Sequence, residues 1–160
     1  MTKAAGLVLL PIVGIPEVRP GDDLAGMIVE AAAAGAATAL LDGDVVVVTQ
    51  KVVSKAEGKL ERLPSDDPLA HKAIVERESA RILRRRGDLI ISETKHGFVC
   101  ANAGVDLSNV EDGWAALLPE DSDRSARRIR DGLRGALGID VAVIISDTVS
   151  YTHLTLPTKA

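Results

Sequence analysis

The sequence predicts an α/β protein (mixed α+β), a layered sheet-and-helix domain. Two uninterrupted apolar runs, 45–48 and 141–145, have the length and β-branched character of buried strands. Segments 24–41 and 122–137 beside them have helical composition or periodicity, and this alternation favours layers of both element types. Residues 6–15 follow Lys3 as an apolar stretch interrupted by Pro11. With no small-residue cleavage site behind them, they read as a first strand and not as a signal peptide. Asp22 and Asp23 supply a carboxylate cap to an alanine-rich helix running from Leu24 to Leu41, where Asp42-Gly43-Asp44 ends it. The run 45–48 reads as a strand covered on both faces, with residues 49–55 extending from its end.

Pro68 suits the first turn of a second helix, in which Ile74, Val75, Ile82 and Leu83 recur on one face up to Arg86 and Gly87 is the stop. A short strand at 89–92 follows. Between Glu93 and Asn109 both periodicities fail, and Gly97, Asn102, Gly104 and Asn109 supply the turn chemistry of a functional loop. Asp121 or Ser122 caps a third helix with Ala126, Ile129, Leu133 and Leu137 along one face, and Gly138 terminates it. The strand at 141–145 then runs into Ser146-Asp147-Thr148. Residues 1–148 form one expected domain. The string from Val149 to Ala160 lacks the preceding pattern and resembles a translated sequencing-library adapter, so it reads as a non-native tail.

Composition narrows the function. The 160 residues are 46% hydrophobic and 26% charged, enough for one core without disulfides or a structural metal. Nineteen basic against 23 acidic side chains give a net charge of -4, so no global field draws the chain to nucleic acid or to an anionic membrane. Phe98, Trp114 and Tyr151 are too few aromatics for a base-stacking platform. Cys100 is the only cysteine, which excludes an intrachain disulfide and fits a reducing cytoplasm. No run approaches the roughly 18 apolar residues of a membrane-spanning helix, so a soluble protein is expected.

The common Gly-rich phosphate signatures are missing. Ser54-Lys55-Ala56-Glu57-Gly58, directly after a strand, would instead place an ammonium group and free backbone N–H groups where ligands of α/β sheets sit, a phosphate-suited arrangement. The plain alternative is a solvated lysine. Asp106 in the Gly/Asn-rich loop, Asp147 at a strand end and the Thr148 hydroxyl are hard oxygen donors that suit Mg²⁺ together with phosphate oxygens. Turn capping by both aspartates is the alternative. His96 and Cys100 could suggest a nucleophile and base, yet Phe98 and Val99 indicate a strand that separates them, so a packed, inert cysteine is expected. His71 reads as a surface residue of a helix, and His153 falls in the tail. The arginines of 77–86 and 124–134 read as solvated helix faces paired with Glu76, Glu78, Asp123 and Asp131.

Several strings together resemble the coenzyme F420-0:L-glutamate ligase family. They are Gly14-Ile15-Pro16, Gly21-Asp22-Asp23-Leu24, Thr49-Gln50-Lys51-Val52-Val53-Ser54-Lys55-Ala56-Glu57-Gly58, His96-Gly97-Phe98-Val99-Cys100-Ala101-Asn102-Ala103-Gly104-Val105-Asp106, Ser108-Asn109-Val110 and Ile145-Ser146-Asp147-Thr148. They run in family order from about Val8 to Thr148. The resemblance implies a mixed α/β fold and a dimer. It also implies GTP as co-substrate with Mg²⁺ or Mn²⁺, and the joining of L-glutamate to the side-chain carboxylate of coenzyme F420-0 through an acyl phosphate. It further implies that Asp106, Asp147 and Thr148 are metal ligands, that Asn109 contacts the nucleotide, and that Gly14, Ile15, Pro16, Gln50, Lys51 and Lys55 line the GTP site. Lys55 is the catalytic candidate, placed to neutralise charge developing on the transferred phosphoryl group. Family members continue past the Asp-Thr pair with a further α/β portion, so this chain corresponds to the N-terminal part of the family domain. A metal-dependent phosphate or ester hydrolase and a non-catalytic nucleotide- or deazaflavin-binding module are the competing readings.

Overall fold

In the computed structural model, which describes residues 6–35, 38–64, 67 and 69–147, Asp23 caps the first helix as predicted. Its carboxylate accepts the Ala25 N–H at 3.2 Å and starts α1 (Leu24–Ala34). The helix ends at Ala34 and not at Leu41. Gly35 is extended, and the Thr38 hydroxyl donates back to the Ala32 carbonyl at 3.1 Å. Small side chains beyond Ala32 offer little apolar area to hold another turn on the core. Residues 45–48 lie within β1 (Val45–Thr49), which pairs in parallel with β7 (Ala142–Ser146), from Val45 opposite Ala142 to Thr49 opposite Ser146.

Helices cover one face of this pair. Val46 and Val48 are buried with Leu24, Ile28, Ile129, Leu133 and Val141, residues of α1, of α4 (Ser122–Leu137) and of the segment entering β7. The expectation of cover on both faces fails, because Val45, Val47 and Ile144 on the opposite face are exposed. The apolar stretch at 6–15 is also not a strand. It is irregular, without a ladder partner among the described residues, leaves Leu7, Val8 and Leu9 exposed, and packs on the core cluster through Ile12 and Ile15. Apolar composition alone does not make a strand when no neighbouring edge takes its N–H and C=O groups.

The α4 helix matches its sequence signals at both ends. The Asp121 carboxylate accepts the Arg124 N–H at 2.8 Å, and left-handed Gly138 closes the helix with its N–H on the Arg134 carbonyl at 2.9 Å. Within it, Gly132 is required by the approach of α1, since a Cβ at this position would stand 2.5 Å from the Ala25 Cβ. Glycine to alanine in a helix ordinarily stabilises by about 1 kcal/mol. Here the sign reverses: Gly132→Ala is expected to destabilise by about 1–3 kcal/mol in urea denaturation. Ala25→Gly in the same chain should recover most of that loss.

The helix expected from Pro68 to Arg86 is half strand. Pro68 lies outside the described residues. α3 (His71–Glu78) buries Ile74 and Val75, and the chain then continues directly as β3 (Ser79–Arg86). β3 pairs antiparallel with β4 (Leu89–Thr94) across Gly87-Asp88, and β4 pairs with β5 (Val99–Ala101). Hairpin pairing across this tight turn overrides helical propensity here. Arg81 lies opposite Glu93 and bonds it at 3.0 Å, a cross-strand ion pair invisible to helical periodicity. From Ser79 on, the first arginine stretch is therefore a strand and not a helix face, although Arg85 still reaches Glu76.

A third small sheet joins β2 (Leu60–Arg62) to β6 (Trp114–Ala116), antiparallel. Ile74, Val75, Ile90, Ala103, Val105 and Ala115 form a second buried cluster. Within 93–109, expected to be largely loop, the chain completes β4, forms β5 from Val99, as the strand reading of Phe98 and Val99 anticipates, and makes a single 3-10 turn (Asn102–Gly104). No helix among the described residues is long and apolar enough to cross a membrane.

Candidate functional site

β1 ends at Thr49 and the chain turns at once into α2 (Gln50–Ala56), so residues 49–55 form a helix and not an extension of the strand. Two hydrogen-bonding systems fix this helix against one short beam. Gln50 Nε2 donates to Ser54 Oγ at 2.7 Å and to the Leu117 carbonyl at 3.2 Å, and Ser54 Oγ donates to the same carbonyl at 2.6 Å. One residue earlier, Ala116 exchanges backbone hydrogen bonds with Asp106, at 3.0 Å and 2.8 Å. Consecutive residues at the end of β6 thus set α2 and Asp106 relative to each other. Between them stands Lys51, whose Nζ bonds Asp106 Oδ2 at 2.6 Å and Ser108 Oγ at 2.5 Å.

Asp106 is also its own turn cap, with Oδ1 accepting the Ser108 N–H at 2.7 Å. Burial pushes its carboxyl up. The Lys51 ammonium and the N–H and hydroxyl of Ser108 outweigh that, and hold it below the usual carboxylate range. The capping and ligand readings are therefore compatible: the carboxylate that closes the turn is kept ionised at neutral pH.

Lys55 lies one turn after Lys51 on α2, so the two ammonium groups share a helix face. The sequence reading of free backbone N–H groups here fails, because α2 and its cap take them: Glu57 N–H bonds Val53 and Gly58 N–H bonds Lys55. What Lys55 offers is its side chain, only 10% exposed, ion-paired with the carboxylate of Glu17. Glu17 directly follows Gly14-Ile15-Pro16. Gly14 takes φ +89°, a conformation that favours glycine, while Ile15 packs on the core. This segment is thereby laid beside α2. Gln50, by contrast, is buried, with its amide engaged inside the protein.

Asp147 directly follows Ser146, which pairs with Thr49, so it leaves β7 at the same end where α2 leaves β1. Its side chain is exposed. It also acts on the neighbouring hairpin: burial pushes the Cys100 thiol up and the charge of Asp147 adds to this, against a bond from the Gly104 N–H. Cys100 lies half-buried in β5, as a packed cysteine should, with His96 set apart and stacked near Phe98. Asn109 is exposed with φ +54°, at the end of the Asp106 turn. Thr148, His153 and the segment 149–160 lie outside the described residues.

Lys51 and its partner Asp106 thus stand past the end of β1 where Asp147 leaves the paired β7, with Lys55 and the 14–17 segment one helical turn along α2. Among the described residues no group of three or more His, Cys, Asp or Glu gathers to hold a metal alone. Two carboxylates fit Mg²⁺ or Mn²⁺ when the ligand itself brings phosphate oxygens. Two participants escaped the sequence reading. Ser108 was findable, since Asp-x-Ser is a turn pattern that aims the hydroxyl back toward the carboxylate. Glu17, 38 residues from Lys55, had no local signal.

The profile described as F420-0:Gamma-glutamyl ligase matches residues 13–153. The chain belongs to this family. It is 46% identical to the coenzyme F420:L-glutamate ligase of Methanothermobacter thermautotrophicus, over 89% of this chain and 62% of that protein. The ligase of the same name from Methanopyrus kandleri is 45% identical, over 89% of this chain and 61% of its own length. That of Haloarcula marismortui is 37% identical, over 84% and 58%. The chain therefore spans about three-fifths of the length of the F420 ligases it matches. The mixed α/β fold agrees with membership.

Proposed function

We propose that this chain is the N-terminal part of a GTP-dependent ligase that adds L-glutamate to the side-chain carboxylate of coenzyme F420-0. The observation that carries the reading is the Lys51–Asp106–Ser108 cluster, which Lys51 holds just past the carboxyl end of β1, the end of the parallel pair from which Asp147 leaves β7 and where ligands of α/β sheets bind. Family membership supports F420 and L-glutamate as substrates, and the cluster supports a place for phosphates and a divalent cation.

In this proposal Asp106, Asp147 and the Thr148 hydroxyl hold Mg²⁺ or Mn²⁺, which when bound neutralises phosphate charge. Lys51 and Lys55 take phosphate oxygens from the α2 face, and Lys55 is the catalytic candidate because its ammonium is fixed where negative charge develops. Gly14, Ile15 and Pro16 form the nucleotide-facing edge, with Gln50 bracing α2 and Asn109 contacting the nucleotide. The chemistry has two steps. A carboxylate oxygen of F420-0 attacks the γ-phosphorus of GTP and GDP leaves. The glutamate amine then attacks the acyl carbon, the phosphate leaves with the C–O electron pair, and the amine loses a proton to give the amide. A homodimer belongs to the same proposal and is checked by sedimentation velocity.

The full-length gene product, incubated with F420-0, L-glutamate, GTP and Mn²⁺, is expected to yield the glutamylated coenzyme by mass spectrometry, with one GDP per amide. Phosphate release that proceeds equally without glutamate or F420-0 would identify a hydrolase instead. Binding of GDP without any turnover would identify a non-catalytic module.

A further inference from the structure

The two lysines of α2 carry unlike counter-ions. Asp106 is anchored: its backbone is bridged to Ala116, its Oδ1 closes the Ser108 turn, and its side chain is 24% exposed. Glu17 is not anchored in this way. Its side chain is 72% exposed and stands on an irregular segment outside every ladder, with Lys55 as its bonded partner among the described residues. Lys55 is the reverse, a buried ammonium on a rigid helix that needs an anion at all times.

We infer that Glu17 is a tethered stand-in for phosphate, which holds Lys55 while the site is empty and is displaced into water when an anionic ligand arrives. Hydrogen bonding to Lys55, reinforced by its charge, holds the Glu17 carboxyl below the ordinary range, so at neutral pH the stand-in is charged. Leaving costs Glu17 little, because most of its side chain is already hydrated. Losing every partner would cost Lys55 much more. Only a group that itself brings negative charge can complete the exchange, and a phosphate oxygen does so with higher charge than a carboxylate. Glu17 therefore weakens phosphate binding by competition and screens the site against neutral ligands. The inference rests on the nucleotide reading of α2 and deepens it.

Isothermal titration of the full-length gene product with GDP and Mn²⁺ tests both levels separately. Glu17→Gln is expected to bind about twofold to fivefold tighter than wild type, the range of a partly screened ion pair. Lys55→Met should bind at least about tenfold weaker, with Lys55→Gln as a second variant should the first fold poorly. In the double variant, the Glu17→Gln gain should vanish, as coupling through Lys55 requires. If Glu17→Gln binds equally or more weakly while Lys55→Met still loses affinity, the stand-in is wrong and the nucleotide reading survives. If Lys55→Met and Lys55→Gln both bind as wild type does, the nucleotide reading of α2 fails and the stand-in fails with it.

Discussion

Asp106→Ala is expected to weaken binding of GDP with Mn²⁺ by about a hundredfold or more. Loss of a group that merely orients a metal ligand typically costs about 10–100-fold, and the proposed function makes Asp106 a ligand. The same substitution strips Lys51, 15% exposed, of its carboxylate and leaves it the Ser108 hydroxyl alone. An under-satisfied buried group costs about 1–3 kcal/mol, so a lower melting temperature should accompany the loss of binding. Asp106→Asn separates the two effects. It keeps an acceptor for the Ser108 N–H and a similar volume while removing the charge, so binding should still fall steeply while the turn persists.

The pH dependence has a definite sign. With its carboxyl lowered in the folded state, Asp106 contributes stability that is complete above the unfolded value near pH 4 and is lost as pH falls through the folded value. Denaturation midpoints followed downward from about pH 5 should therefore drop more steeply for wild type than for Asp106→Asn. Wild-type affinity in both variants would remove Asp106 from the site.

What the sequence made legible was whatever is enforced locally. The Asp23 and Asp121 caps, the Gly138 stop and the two β-branched strands all follow from interactions within a few residues, and all are present. The errors came where pairing with another segment, and not the segment's own spacing, decides. Residues 79–86 keep helical spacing of Ile82 and Leu83, yet the ladder to β4 and the Arg81–Glu93 pair make them a strand. Residues 6–15 look like a strand and find no edge. The site shows the same division. Asp106 and Asp147 were readable as oxygen donors at a loop and a strand end. The contacts that organise them, Lys51 to Asp106 across 55 residues of chain and Glu17 to Lys55, depend on the β6 beam and on the lie of the 14–17 segment, which no local pattern encodes.

The scaffold under β1 yields the second large effect. Leu133 is fully buried in the cluster that holds Val46 and Val48 from below, so Leu133→Ala removes apolar contact and leaves a cavity. The expected loss is about 3 kcal/mol, within the roughly 2–5 kcal/mol of such truncations. At about 2–4 °C per kcal/mol for a chain of this size, that is close to 10 °C in a calorimetric melt. Leu137, one turn on and 40% exposed, supplies the control, and its alanine variant should lose less than about 1 kcal/mol. The contrast matters for function because β1 delivers Gln50, Lys51 and Lys55 at its carboxyl end, so their geometry depends on α4 holding that strand in place. Well below its melting point, Leu133→Ala should retain GDP affinity within a few fold, since stability and site chemistry reside in different residues. Equal, small losses at Leu133 and Leu137 would mean that α4 does not pack under β1, and the site would need another support.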